Sequence, residues 1–228
     1  MWLWDRFSNP LWHKISRLDK PRRRTVATTL CAYDFLRQQV EKKLVGPVET
    51  YLREHRDPSS SASGLTAAVR TQLVDEALMA LLWSCTCPAF DPALKLPREV
   101  VPHLPEVWGG FVLADVNHRL NRSTPEALNQ TGYSEDPSEA HQQVLSRWSE
   151  ILSIADPEFA ARIDAAGFAE AWDWLAQMFV ADTLDGMAAI PDRMLFAQGR
   201  RIAAALPPYR AVQVERLIGQ VAAAPDTG

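Results

Sequence analysis

The sequence predicts an all-α fold, an irregular multi-helix bundle of about 7–10 helices. Apolar residues recur at helical spacing from one end of the chain to the other, and no stretch alternates β-branched with polar residues as a half-buried strand would. Prolines fall where periodic runs begin, at Asn9-Pro10, Asp156-Pro157, Pro191 and Pro207, and such positions suit the first turn of a helix.

The first element is a basic amphipathic arm over residues 1–24. At about 100° per residue, Trp4, Phe7, Leu11, Ile15 and Leu18 share one narrow arc, with Arg6, Asn9, His13 and Arg17 opposite. Asn9 reads as a cap and Pro10 as the first-turn proline. The next helix is expected over 25–45, with Val26, Leu30, Tyr33, Val40 and Leu44 as its apolar stripe, and Gly46-Pro47 is expected to interrupt it. Residues 57–64, DPSSSASG, have the composition of a flexible loop and are the linker candidate within a single helical domain over 25–224. A helix over 65–83 follows. Its second half, ALMALLW, is apolar at nearly every angle, which marks a central helix surrounded by protein.

Between residues 85 and 110 stand Pro88, Pro92, Pro97, Pro102 and Pro105, interleaved with Phe90, Leu94, Val101 and Trp108. Prolines remove backbone donors and stop helices, so this Pro-rich segment is expected to be irregular chain pinned down by its side chains. Further helices are expected over 111–122, 138–155, 168–182 and 192–206, with a shorter one between Asp156 and Gly167 and a last one after Pro207. On 192–206, Arg193, Arg200 and Arg201 group away from Leu195, Ile202 and Leu206, and Arg210 and Arg216 follow nearby. That grouping is read first as an ordinary solvated face, and alternatively as a second basic surface for a carboxylate-rich or phosphate-bearing partner.

The bulk numbers exclude some classes. A chain of 228 residues that is 47% hydrophobic and 23% charged is not wholesale disordered. A net charge of −4 disfavours nucleic acid as the partner, because neutralising phosphates needs a positive field. The charge is uneven all the same, since the arm carries Arg6, Lys14, Arg17, Lys20, Arg22, Arg23 and Arg24 against Asp5 and Asp19. Cys31, Cys85 and Cys87 form no disulfide framework in a chain of this size, which favours a reducing, cytoplasmic compartment. Asp5 and Arg6 break any apolar signal stretch, and no later run reaches the ~18 apolar residues that a membrane span needs.

Chemistry has few footholds. Asp115 and His118 are i,i+3 neighbours on a helix face turned away from the core, close enough for a carboxylate to orient an imidazole. One pair supplies neither the convergent ligands of a metal site nor a cleft, so a helical enzyme using Asp115 and His118, with or without a divalent metal, is the alternative reading. Cys85-Thr86-Cys87, with His103 as the nearest partner, is spaced too tightly for structural zinc, and neither metal nor cofactor is expected. Interface anchors are more plentiful. Trp2, Trp4, Trp12, Arg22, Arg23 and Arg24 lie on the arm, Trp108 in the irregular segment, and Arg119 and Arg122 beside His118. Tryptophan and arginine are the usual energetic anchors of protein interfaces. The leading expectation is therefore a non-enzymatic protein-binding protein, an adaptor, inhibitor or assembly factor, whose partner is another protein. Contact of the basic arm with nucleic acid or, weakly, with a membrane surface is the second alternative. The arm also has a plainer role open to it, folding back to close the chain's own core.

Overall fold

The computed structural model describes residues 9–55, 65–86, 133–134, 136–178 and 189–223. These residues form an all-α structure with no strand among them. Helices α1 (Pro10–Ser16), α2 (Lys20–Val40), α3 (Gly46–Glu54), α4 (Ala67–Thr86), α5 (Pro137–Leu152), α6 (Phe159–Ala165), α7 (Phe168–Met178), α8 (Asp192–Ala205) and α9 (Pro208–Ala223) follow in order. A π-helical turn, Glu41–Val45, joins α2 to α3.

Local chemistry sets most of the boundaries. Asn9 caps α1 by accepting from the Trp12 N–H at 3.0 Å, with Pro10 in the first turn. Helix α2 begins five residues before the expected Thr25, because the Asp19 carboxylate accepts from the Arg22 N–H at 2.9 Å and Pro21 suits the first turn. Asp136 caps α5 in the same manner, accepting from the Ser138 N–H at 2.8 Å. Helix α5 ends at Ser153, a left-handed residue with φ 53°, and Gly167, with φ 93°, makes the turn between α6 and α7.

Gly46-Pro47 does not interrupt the helical path. Pro47 has no N–H for the Lys43 carbonyl, and its ring crowds that oxygen in a regular α-helix. The chain widens into the π turn just before this position and runs on into α3.

Contacts group the chain into two compact units. Of the described residues, one unit holds 9–35 and 189–223, and the other holds 36–55, 65–86, 133–134 and 136–178. In the second unit α4 packs chiefly along α5, while α7 lies against α4, α5, α6 and the π turn. The apolar half of α4 is enclosed as its sequence predicts, with Ala77, Leu78, Met79, Ala80 and Leu81 all at most 5% exposed. Trp148 of α5 and Trp172 of α7 are fully buried, and Phe168 stands edge-on to Trp148 at 5.4 Å. Each such aromatic contributes on the order of 3 kcal/mol by burial. The Trp148 indole N–H donates to the Leu73 carbonyl at 3.1 Å, so a tryptophan is held there without a stranded donor. Among the polar ties to α4, Arg37 pairs with the buried Asp75 at 2.7 Å, and the Tyr133 hydroxyl donates to Glu76 at 2.6 Å.

In the first unit α1 packs on α8 and α9, burying Leu11 and Ile15. Ala27 and Cys31 of α2 meet Leu195 of α8, with Ile190, Phe196 and Ile202 against them. No described helix is long and apolar enough to cross a membrane.

Candidate functional site

The first unit builds a groove from two segments far apart in sequence. Trp12 of α1 and Arg193, Phe196, Ala197 and Arg200 of α8 line it, enclosing about 480 Å³. Its existence depends on Gly199. A Cβ there would stand 3.3 Å from the edge of the Trp12 ring and 3.2 Å from the Ala27 Cβ, so the missing side chain lets both α1 and α2 come close to α8.

Several polar contacts fix Trp12. The Asn9 amide donates to the Ala203 carbonyl at 3.0 Å while its oxygen caps α1, so one side chain both starts α1 and ties it to α8. Lys14 pairs with Glu215 of α9 at 2.6 Å. Arg22 donates to the Val221 carbonyl at 3.0 Å. Arg23 donates to the carbonyls of Ser16 and Leu18 at 2.8 and 2.9 Å and lies over the Phe196 ring, 5.6 Å from its centroid. Arg24 pairs with Asp192, which Lys20 also reaches at 2.7 Å. These cations hold the Asp192 carboxyl below its ordinary pKa. Arg22, Arg23 and Arg24, expected as binding anchors, thus all engage their own chain: Arg22 ties α2 to α9, Arg23 reaches the end of α1 and the Phe196 ring, and Arg24 ties α2 to α8.

Arg193 and Arg200 differ from them. Both are exposed, and neither makes an ion pair or hydrogen bond among the described residues. They flank the half-buried Phe196 and the exposed Ala197 on one stripe of α8. The arrangement is an aromatic floor between two uncommitted guanidiniums. Arg201 is exposed and Leu195 buried, so the predicted division of α8 into basic and apolar sides holds.

The remaining predicted residues divide simply. Trp2, Trp4, Cys87, His103, Trp108, Asp115, His118, Arg119 and Arg122 lie outside the described residues, as does the 57–64 linker candidate, while Cys85 belongs to the last turn of α4. The described residues contain no group of three or more His, Cys, Asp or Glu side chains that could hold a metal. Cys31 is buried, and burial pushes its thiol up to about 12, so at neutral pH it is no nucleophile.

A second polar cluster, in the other unit, was not foreseen. The Tyr51 hydroxyl donates to Asp156 at 2.6 Å, which pushes the phenol pKa up and holds the carboxyl below its ordinary range. The His55 ring stacks on Tyr51 with centroids 4.2 Å apart. Arg162 can only donate, so His55 Nε2 accepts from it at 2.6 Å and the proton sits on Nδ1, which donates to the Tyr51 carbonyl at 3.0 Å. Both imidazole nitrogens are occupied, leaving no base for catalysis. His141 of α5 is half-buried near Phe168 and Trp172 and accepts from the Gln142 amide at 2.8 Å.

Sequence reasoning named Trp12, Arg193 and Arg200 separately but missed Phe196, Ala197 and Gly199. The i, i+3, i+4, i+7 spacing of Arg193, Phe196, Ala197 and Arg200 was the available signal. Comparison with protein families, curated proteins and solved structures finds no match for this chain.

Proposed function

We propose that this chain is a non-enzymatic protein-binding protein, acting as an adaptor, inhibitor or assembly factor, and that a partner places an apolar side chain, flanked by carboxylates, in the Trp12 groove. The observation that carries the reading is the pair of exposed arginines, without carboxylate partners among the described residues, on either side of an aromatic floor. Tryptophan, phenylalanine and arginine are enriched where binding energy concentrates. The volume falls within the range of about 300–1,000 Å³ typical of side-chain and ligand pockets. Arg23 enters this function by bracing the end of α1 and the Phe196 ring, while Arg22 and Arg24 tie α2 to α9 and α8. The odd cysteine count supports a reducing, cytoplasmic setting.

Selection of displayed random peptides on the full chain tests the reading. Enriched peptides are expected to carry Asp or Glu beside a large apolar residue and to be lost on the double variant Arg193→Glu/Arg200→Glu. Enrichment that survives the double variant, or none at all, defeats the proposal.

A further inference from the structure

We propose that the occupant of the groove is an acidic α-helix, with one large apolar residue entering between Trp12 and Phe196 and carboxylates on either side of it meeting Arg193 and Arg200. This rests on the protein-docking reading above and narrows it to one class of partner segment.

Arg193 and Arg200 are seven residues apart on α8, which separates their backbones by about 10.5 Å along the axis on nearly the same face. A partner must present two carboxylates at matching separation, with its anchor between them. An extended strand repeats on one face at about 6.8 Å and then 13.6 Å, so neither step matches. A helix with acids at i and i+7 repeats at about 10.5 Å, and its residue at i+3 or i+4 lies between them on the same face. That residue falls opposite Phe196 and Ala197. Ala197 is small and exposed, leaving room for a large side chain, and Gly199 brings Trp12 alongside as the wall. Charge decides the sign of the partner, because the two guanidiniums lack carboxylates of their own among the described residues. Recognition of an amphipathic helix in a groove by anchors at this spacing is a recurring mode.

Three fluorescein-labelled peptides of equal length and charge test it by anisotropy on the full chain. The first is a helix-forming sequence with Glu at i and i+7 around a central Leu. The second keeps the helix but moves the acids to i and i+2, and the third keeps the i,i+7 acids and carries prolines that forbid a helix. The first is expected to bind about tenfold tighter than the others, as two partly exposed ion pairs would give. It should lose that advantage on Arg193→Glu/Arg200→Glu and on Ala197→Arg, which fills the groove; circular dichroism checks that each variant folds. If the proline peptide binds as well as the first, the occupant is not a helix, and the docking reading survives alone. If none binds while displayed peptides still select the groove, the acidic-helix inference falls by itself. If neither peptides nor selection find the groove, both fall. Displacement of the first peptide by a single-stranded oligonucleotide at moderate salt assigns the arginines to phosphates and overturns the proposal.

Discussion

Gly199 shows how much can rest on an absent side chain. Its Cα lies where the Trp12 ring and Ala27 converge on α8, and a Cβ alone would stand 3.2–3.3 Å from both. Gly199→Val adds two further methyl groups in that space. We expect it to destabilise the fold by about 1–3 kcal/mol through overpacking, measured by urea denaturation, and to weaken peptide binding by displacing Trp12. The sequence shows a glycine in a helix but not what approaches it. By contrast, the Asn9 cap lies in adjacent residues and is read without tertiary information, and the Asp19 start of α2, which the expected start at Thr25 passes over, carried a signal of the same local kind.

Elements divide along the same line. The central character of α4 and the two sides of α8 follow from periodicity, because burial of a helix face is written every three or four residues. The π turn is not, since Pro47 looks like a stop in the sequence and the wider turn before it leaves no mark in the periodicity. Asp75 on α4 is another hidden feature, a carboxylate 1% exposed and paired with Arg37 of α2. Arg37→Ala removes a cation from a buried carboxylate. We expect a loss of about 3 kcal/mol in the urea-derived stability, with smaller loss for Arg37→Lys. Asp192 ties α2 to α8 by its pairing with Lys20 and Arg24, and its carboxyl is held below the ordinary value of 3.8. A carboxyl with a lowered folded-state pKa adds stability above its unfolded pKa and loses it as pH falls through the folded one. The Asp192→Asn variant should therefore be less stable than the parent at neutral pH, and the two thermal stabilities should converge as the pH falls through the lowered folded-state pKa.

On the scale of the whole molecule, the all-α class follows from the sequence because no competing period occurs in it. The groove could not be read there, since Trp12 and residues 193–200 meet only after folding. The basic arm, the most conspicuous feature of the sequence, packs on its own chain where it is described: α1 lies on α8 and α9, and Arg22, Arg23 and Arg24 bond to α9, to the end of α1 and to Asp192 of α8. The account turns on Trp12 being a wall of a binding groove rather than a core residue alone. Incorporation of 5-fluorotryptophan, with the Trp12 resonance assigned by Trp12→Phe, allows ¹⁹F spectra to follow that ring during titration with the i,i+7 acidic helix. The account predicts that the Trp12 resonance shifts saturably in the parent chain and stays fixed in Arg193→Glu/Arg200→Glu. A Trp12 resonance that does not move while anisotropy reports binding would contradict it.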